Sequence, residues 1–355
     1  MIIRNLGIIK PWHKQDLGGK RPEKSVCVVR YGGYGDLIHA SSVFPYFKEK
    51  GYYVTVNTTP RGVDVIRHDP NIDEIFLQET GQVANDDLGP YWKKLGSNFS
   101  KLVQFSESVE RSLLAVPHDK EYDLDQKERH RIMNVDYFKR MHEIAGADLP
   151  PRLCFYPTRL EKKWARRERQ KMGLGNFVIL WVLSGSSVHK VYTHTDSVVA
   201  ELMISNPDAR VVFVGEQLCQ LLEDPWHKEK RVYGRSGKWS IRQTLSFAYE
   251  SDVIIGPETG VLNAFAFNKD IPKIMMLSHS SPVNIGGSWE NTEVLTPYDC
   301  ECYPCHKMHY GWKTCNRVKD ERNGMLIDGA KCQVNITKDR VYDAIVSAMK
   351  QRKVA

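Results

Sequence analysis

The feature that most restricts the fold is an alternation that occurs twice along the chain. Short runs of apolar, often β-branched residues are followed by stretches whose apolar residues recur at helical spacing. In the first half the runs are "VCVVR" at residues 26–30, "YYVTVNTT", "DEIFLQ" and "KLVQF"; in the second they are "FVILWVL", "RVVFVG", "SDVIIG" and "KIMMLS". Consecutive apolar residues mark strands buried on both faces, as in parallel sheets. The intervening helical stretches supply the crossovers that parallel pairing needs. Two such series predict an α/β protein with two parallel sheets. A chain of 355 residues is also longer than one core usually serves, and the join is expected near residues 150–175.

Local signals fill in the frame. Ala40, Val43, Phe44 and Phe47 share a helical face, which Pro45 must kink or force to restart. "RGVDVIR" reads as a short helix, and Val135, Phe138, Met141, His142 and Ala145 recur at helical intervals. "SIRQ" fits a capping box, with Ser240 and Gln243 opening a helix that runs to about Tyr249. Thr337 is an expected N-cap, and Val341, Ala344, Ile345 and Ala348 form the apolar stripe of a docked terminal helix. The polar stretch "PHDKEYDLDQKERHR" is expected to be a surface loop or lid. "KKWARRERQK", at residues 162–171, reads either as a solvated helix face or as a polyanion site.

A composition of 41% hydrophobic and 26% charged residues is that of a soluble globular protein. No apolar run approaches the roughly 18 residues of a membrane span, so no transmembrane segment is expected. The N-terminal residues lack the uninterrupted apolar core of a signal peptide, which places the protein in the cytoplasm. A formal charge of +7 suits an anionic partner.

Three loops carry chemistry. In "VVRYGGYGDLIHASSVFP" a buried strand runs into Gly32, Gly33 and Gly35, which permit a sharp turn and close backbone approach to a bound group. Asp36 follows at the helix start, either as a general base at a crevice lip or as an N-capping aspartate. A dinucleotide fingerprint fails, because Ile38 stands where a third glycine belongs and the second strand ends in Asn57 and Thr58 rather than an acidic residue. No Walker loop occurs. In "SDVIIGPETGVLNAFAF" a strand ends at Gly256, and Glu258, Thr259 and Gly260 lead into a predicted helix suited to an anion. "LSGSSVHKVY" places Ser184, Gly185 and Ser186 at a strand end with Lys190 beyond them, either as phosphate donors or as an ordinary surface loop.

These three loops, in this order, resemble glycosyltransferase family 9, the heptosyltransferase-like enzymes. The likeness covers roughly residues 25–350 and is weakest over residues 80–170. It implies a GT-B fold, with two Rossmann-like domains facing across a cleft: an acceptor-binding domain over residues 1–160, a nucleotide-sugar domain over residues 161–335, and a terminal helix over residues 336–355. Asp36 matches the proposed general base, Lys190 the phosphate-neutralising lysine, and Thr259 with Gly260 the diphosphate contacts. Gly215 and Glu216 would lie near the nucleoside, Ser184, Gly185 and Ser186 near the donor, and Gly33 and Gly35 in the turn. His39 agrees with a histidine seen after the aspartate in heptosyltransferases, and its alternative is a helix histidine stacked on the turn. Two positions depart from the pattern: Glu258 stands for the usual aspartate and Asn263 for the usual histidine, so the resemblance does not extend to the donor's identity.

The implied activity is inverting transfer of a sugar from a nucleotide-sugar donor to an acceptor hydroxyl, with no cofactor required for catalysis. A related alternative glycosylates a modified base in nucleic acid, where the basic run and net charge would serve; a third is a non-catalytic nucleotide-sugar-binding protein. The acceptor is accordingly a glycan or a modified nucleic acid. Five of the eight cysteines lie at 300, 302, 305, 315 and 332, with His306 and His309 among them. Cys302, Cys305, Cys315 and Cys332 are compatible with a tetrahedral structural zinc, and reduced packing cysteines or disulfides are the alternative.

Overall fold

The computed structural model describes residues 1–5, 12, 17, 19, 21–79, 81–106, 110–117, 119–148, 150–152, 154–309, 315, 318–319, 324–327, 329–354. The chain forms two compact units, Met1–Val109 with Tyr137–Tyr156, and Glu110–Asp136 with Pro157–Ala355.

Among the described residues the first unit is built on β1 (Ile2–Asn5), β2 (Ser25–Val29), β3 (Tyr53–Thr58), β4 (Glu74–Leu77) and β5 (Lys101–Gln104), in the order β1-β4-β3-β2-β5. Every pairing is parallel. All five residues of β2 are buried, and Val26 and Val28 pair with Val54 and Val56. This is why the strand reads as an unbroken apolar run. After the glycine turn the chain forms helix Tyr34–Ser41 and restarts as Phe44–Glu49. Pro45 sits in the first turn of the second helix, where its missing N–H leaves no bond unmade. Glu74, fully buried, is paired by Arg21 at 2.8 Å.

Among the described residues the second unit carries β6 (Phe177–Val182), β7 (Ala209–Val214), β8 (Val232–Gly234), β9 (Val253–Pro257), β10 (Lys273–Met276) and β11 (Thr292–Leu295), in the order β11-β10-β9-β6-β7-β8. These pairings are also parallel. β6, β9 and β10 are therefore consecutive neighbours. Helices Thr195–Ser205 and Lys338–Val354 contribute to one core with the sheet, and Val341, Ala344, Ile345 and Ala348 are all buried in it. Ser240 and Gln243 close the capping box of helix Ile241–Ala248, as the sequence implies.

β1, β8 and β11 have no counterpart in the sequence reading. They are the outer strands of the two sheets, three or four residues long and partly exposed, so they lack the buried run that reveals a central strand. The polar stretch at residues 117–131 is not a plain loop. It contains a single turn, Lys120–Tyr122, and helix Gln126–Met133, capped by Asp125 accepting from the Glu128 N–H at 2.9 Å. Arg129 is buried and donates to the carbonyls of Cys305, at 2.6 Å, and of Leu124. A buried guanidinium satisfied by carbonyls looks solvent-facing in a hydropathy pattern. The basic run forms helix Arg159–Lys171, with Lys162, Lys163, Arg166 and Arg167 exposed and Arg169 buried against Asp252 at 3.1 Å.

The first unit contains a titratable liability. Asp69 is buried, accepting from the Asn71 backbone and side-chain N–H groups at 2.8 Å each. Burial pushes its carboxyl up from 3.8 to about 7, with the Asn71 bonds opposing. Between those values the folded state holds a proton that the unfolded chain has released. Stability is therefore full below pH 4 and falls as pH rises to about 7, by at most about 1.4 kcal/mol per pH unit. Asp69→Asn should gain little at pH 4 and about 2–4 kcal/mol at pH 8 in urea unfolding of the first unit. An equal effect at both pH values would contradict this assignment.

Candidate functional site

The glycine turn of the first unit is organised around one carboxylate. Asp36 lies in the first turn of helix Tyr34–Ser41, and its Oδ2 accepts from the Gly33 N–H at 2.6 Å. Oδ1 accepts from Arg30 Nη2 at 2.5 Å. Arg30 is 2% exposed whereas the Asp36 side chain is 40% exposed, so the guanidinium fixes the carboxylate from within while one side remains open. Gly32 has φ +108°, and a Cβ there would stand 2.5 Å from Asp36 Oδ2. Only glycine combines that backbone with that approach. Gly33 is the residue preceding the helix, and Gly35 lies inside it.

His39 is buried, with Nδ1 2.8 Å from the Gly35 carbonyl and its ring against Phe138 and Tyr137 at centroid distances of 4.6 and 5.5 Å. A ring held by its own helix and two aromatics braces the turn. The sequence reading took Arg30 only as the end of a strand and missed its pairing with Asp36, although a charge ending a buried apolar strand implies a partner.

The second unit brings two of the predicted loops into contact. Lys190 Nζ donates to the Glu258 carbonyl at 2.9 Å. A Cβ on Gly185 would meet Lys190 Cδ at 2.6 Å and Thr259 Cγ2 at 3.2 Å. Glycine is thus needed for the loop after β6 to lie on the loop after β9. The Thr259 hydroxyl is buried and has no hydrogen-bond partner among the described residues. The predicted helix beyond it is shorter than expected: only Gly260–Asn263 is helical. Phe265 N and Ala266 N then bond to carbonyls three residues back, at 3.0 and 3.2 Å. One turn carries little macrodipole. Ser184 is half-buried and Ser186 exposed, while Asn263 is buried.

Glu258 faces inward. Its Oε1 accepts from Ser278 Oγ at 2.6 Å and from the His279 N–H at 3.2 Å, and Oε2 accepts from the Ser278 N–H at 3.2 Å. The additional methylene relative to aspartate carries the carboxylate to the loop after β10. Nothing in the ETG spacing signals that contact. Gly215 follows β7, where a Cβ would meet Cys219 Sγ at 2.5 Å; Ser184 Oγ lies 3.0 Å from the same sulfur. Glu216 is exposed. Cys219 was not anticipated, since a lone cysteine in a helical stretch carries no signal.

None of the eight cysteines is disulfide-bonded. Cys302, Cys305, Cys315 and Cys332 together line a cavity of about 170 Å³, with His189, Ser278 and His309. Cys300 Sγ lies 3.7 Å from Cys302 Sγ. The hydrogen bond between them lowers the Cys302 thiol to about 7 and raises that of Cys300.

No protein-family model and no curated protein sequence matches the chain. Solved structures do. ADP-heptose lipopolysaccharide heptosyltransferase II of E. coli superposes with a TM-score of 0.63 at 12% identity, over 93% of this chain and 99% of that one. In fold, the chain is heptosyltransferase-like. A glycosyltransferase of family 9 from Veillonella parvula gives 0.65 at 12% identity, over 94% and 99%. The iron-containing dodecameric glycosyltransferase TibC of enterotoxigenic E. coli gives 0.56 at 14% identity, over 94% and 78%. The heptosyltransferase-like fold thus spans nearly the whole chain, as the three loops suggested.

Proposed function

We propose that the protein is a glycosyltransferase that moves a sugar from a nucleotide-sugar donor to an acceptor hydroxyl with inversion. The observation that carries this reading is the Lys190–Glu258 contact, which fastens the loop after β6 to the loop after β9 beside a buried Thr259 hydroxyl with no hydrogen-bond partner among the described residues. A cation and a hydroxyl gathered at the carboxyl ends of parallel strands suit a diphosphate. The fold supports the same reading, because solved relatives include a heptosyltransferase in complex with ADP-D-β-D-heptose.

In this reading the acceptor oxygen bonds to the anomeric carbon, the bond from that carbon to the diphosphate breaks, and the hydroxyl proton passes to Asp36. Lys190 and Thr259 stabilise the charge left on the nucleoside diphosphate, and Gly215 and Glu216 border its nucleoside. The test is a thermal-shift panel of nucleotide sugars. A ligand present at a hundred times its Kd stabilises the fold by about 2.7 kcal/mol, so the true donor raises the melting temperature by several degrees. The rise should shrink in Lys190→Ala. A panel without any such donor would contradict the proposal.

We also propose that Cys302, Cys305, Cys315 and Cys332 hold one structural metal ion. Four unbridged sulfurs line one cavity and offer the donor set of a thiolate centre for zinc or iron, which they would form by drawing together around the ion, and TibC is described as iron-containing. When bound, the ion would tie Cys332, which opens the segment before the terminal helix, to the loop at residues 302–305.

A further inference from the structure

We infer that His189, Glu258 and His279 form a second metal site, with nitrogen and oxygen ligands, for a first-row divalent transition-metal ion. The three residues belong to the loops after β6, β9 and β10, which are consecutive strands of the second unit. The ligand atoms therefore converge at the carboxyl edge of a parallel sheet, where open α/β folds place their ligands. All lie within 4.8 Å of one another, and all three side chains are buried.

The hydrogen bonding points to an occupant. His189 is 1% exposed, and neither ring nitrogen has a hydrogen-bond partner among the described residues. Buried imidazoles are ordinarily bonded. His279 Nδ1 lies 2.8 Å from Ser280 Oγ, which orients the ring. Its Nε2 lies 3.0 Å from Glu258 Oε1, yet outside the angle at which a ring N–H could donate to that oxygen. An imidazole nitrogen and a carboxylate held that close without a hydrogen bond are natural neighbours in a coordination shell. The Ser278 and His279 N–H groups and Ser278 Oγ bond the carboxylate from the other side, as groups that orient a metal ligand do.

Burial, then the charges of His279 and Lys190, pull the His189 pKa well below its ordinary value; burial, then Lys190, does the same to His279. Both imidazoles are neutral near pH 7, as metal ligands must be. Metal bonds of about 2.0–2.2 Å set tetrahedral ligands about 3.4 Å apart, so the triangle closes with about 1 Å of side-chain movement. Two imidazoles and one carboxylate exclude the hard, oxygen-seeking ions and leave coordination positions open. His189 also lines the cysteine cavity, which gives an ion a path to the site. The site's existence does not depend on the proposed transfer reaction.

The test is cadmium-113 NMR on the full chain loaded with ¹¹³Cd²⁺, because sulfur-ligated cadmium resonates far downfield of nitrogen- and oxygen-ligated cadmium. The wild type should show a resonance in the nitrogen and oxygen region, separate from any thiolate resonance. His279→Gln and Glu258→Gln should each lose that resonance and one equivalent of bound metal, while Cys302→Ser with Cys305→Ser should retain it. A wild type with only a thiolate resonance, or with none, overturns the inference, and it does so without reliance on any variant folding.

Discussion

If the protein has the proposed function, Asp36→Asn should lower turnover by about 10²–10⁴-fold, the contribution of a positioned general base, and should leave the donor's Kd within about twofold of wild type, a shift under about 0.4 kcal/mol. The variant keeps one oxygen for Arg30 or for Gly33 but not both, since the wild-type carboxylate serves the guanidinium with Oδ1 and the turn amide with Oδ2. The first unit should therefore lose about 1–3 kcal/mol of stability. If Asp36 served only to brace the turn, activity would fall merely in proportion to the unfolded fraction. Measuring kcat, donor Kd and urea unfolding on one preparation separates the two roles.

Lys190→Ala should lower kcat by about 10²–10³-fold, the scale of one preorganised donor to a developing anion, and should weaken donor binding as well. Lys190→Arg should not restore the rate. A Cβ on Gly185 would already press on Lys190 Cδ at 2.6 Å, so the lysine stem fills its channel and a forked guanidinium cannot follow it. Full rescue by arginine would show that charge alone matters and that the packing between the loops after β6 and β9 does not. Steady-state kinetics with the donor found in the thermal-shift panel provide the comparison.

What could be read from the chain follows from how each residue signals. Central strands such as β2 and β6 bury every side chain and so appear as unbroken apolar runs. Caps such as Ser240 with Gln243 are equally legible, because they depend on neighbours three residues apart. Edge strands such as β8, whose residues are all half-buried, leave no such trace. The stretch at residues 117–131 misled for a related reason, since Arg129 is buried by virtue of a carbonyl 176 residues away.

The candidate site divides in the same way. Asp36 in the first unit, and Lys190 and Thr259 in the second, stand in the loops that the sequence reading singled out. Arg30 beneath Asp36 stands within its motif but gives no sign there of its partner, and His279 beside Glu258 comes from a loop that the motifs do not include. The exchange of aspartate for Glu258 looked like a change in donor contact. Its carboxylate instead reaches Ser278 and His279 in an adjacent loop, and a side chain's direction is a property of the fold rather than of the motif.

The central claim is that this chain breaks the bond between a sugar and a nucleoside diphosphate. The most direct measurement is release of nucleoside diphosphate from a panel of nucleotide sugars, followed for the wild type and Asp36→Asn in parallel. The account predicts that wild-type protein consumes one donor and that the variant binds the same donor but consumes it at least about a hundredfold more slowly. Equal consumption by both proteins, or none by the wild type with any donor and acceptor, would contradict it.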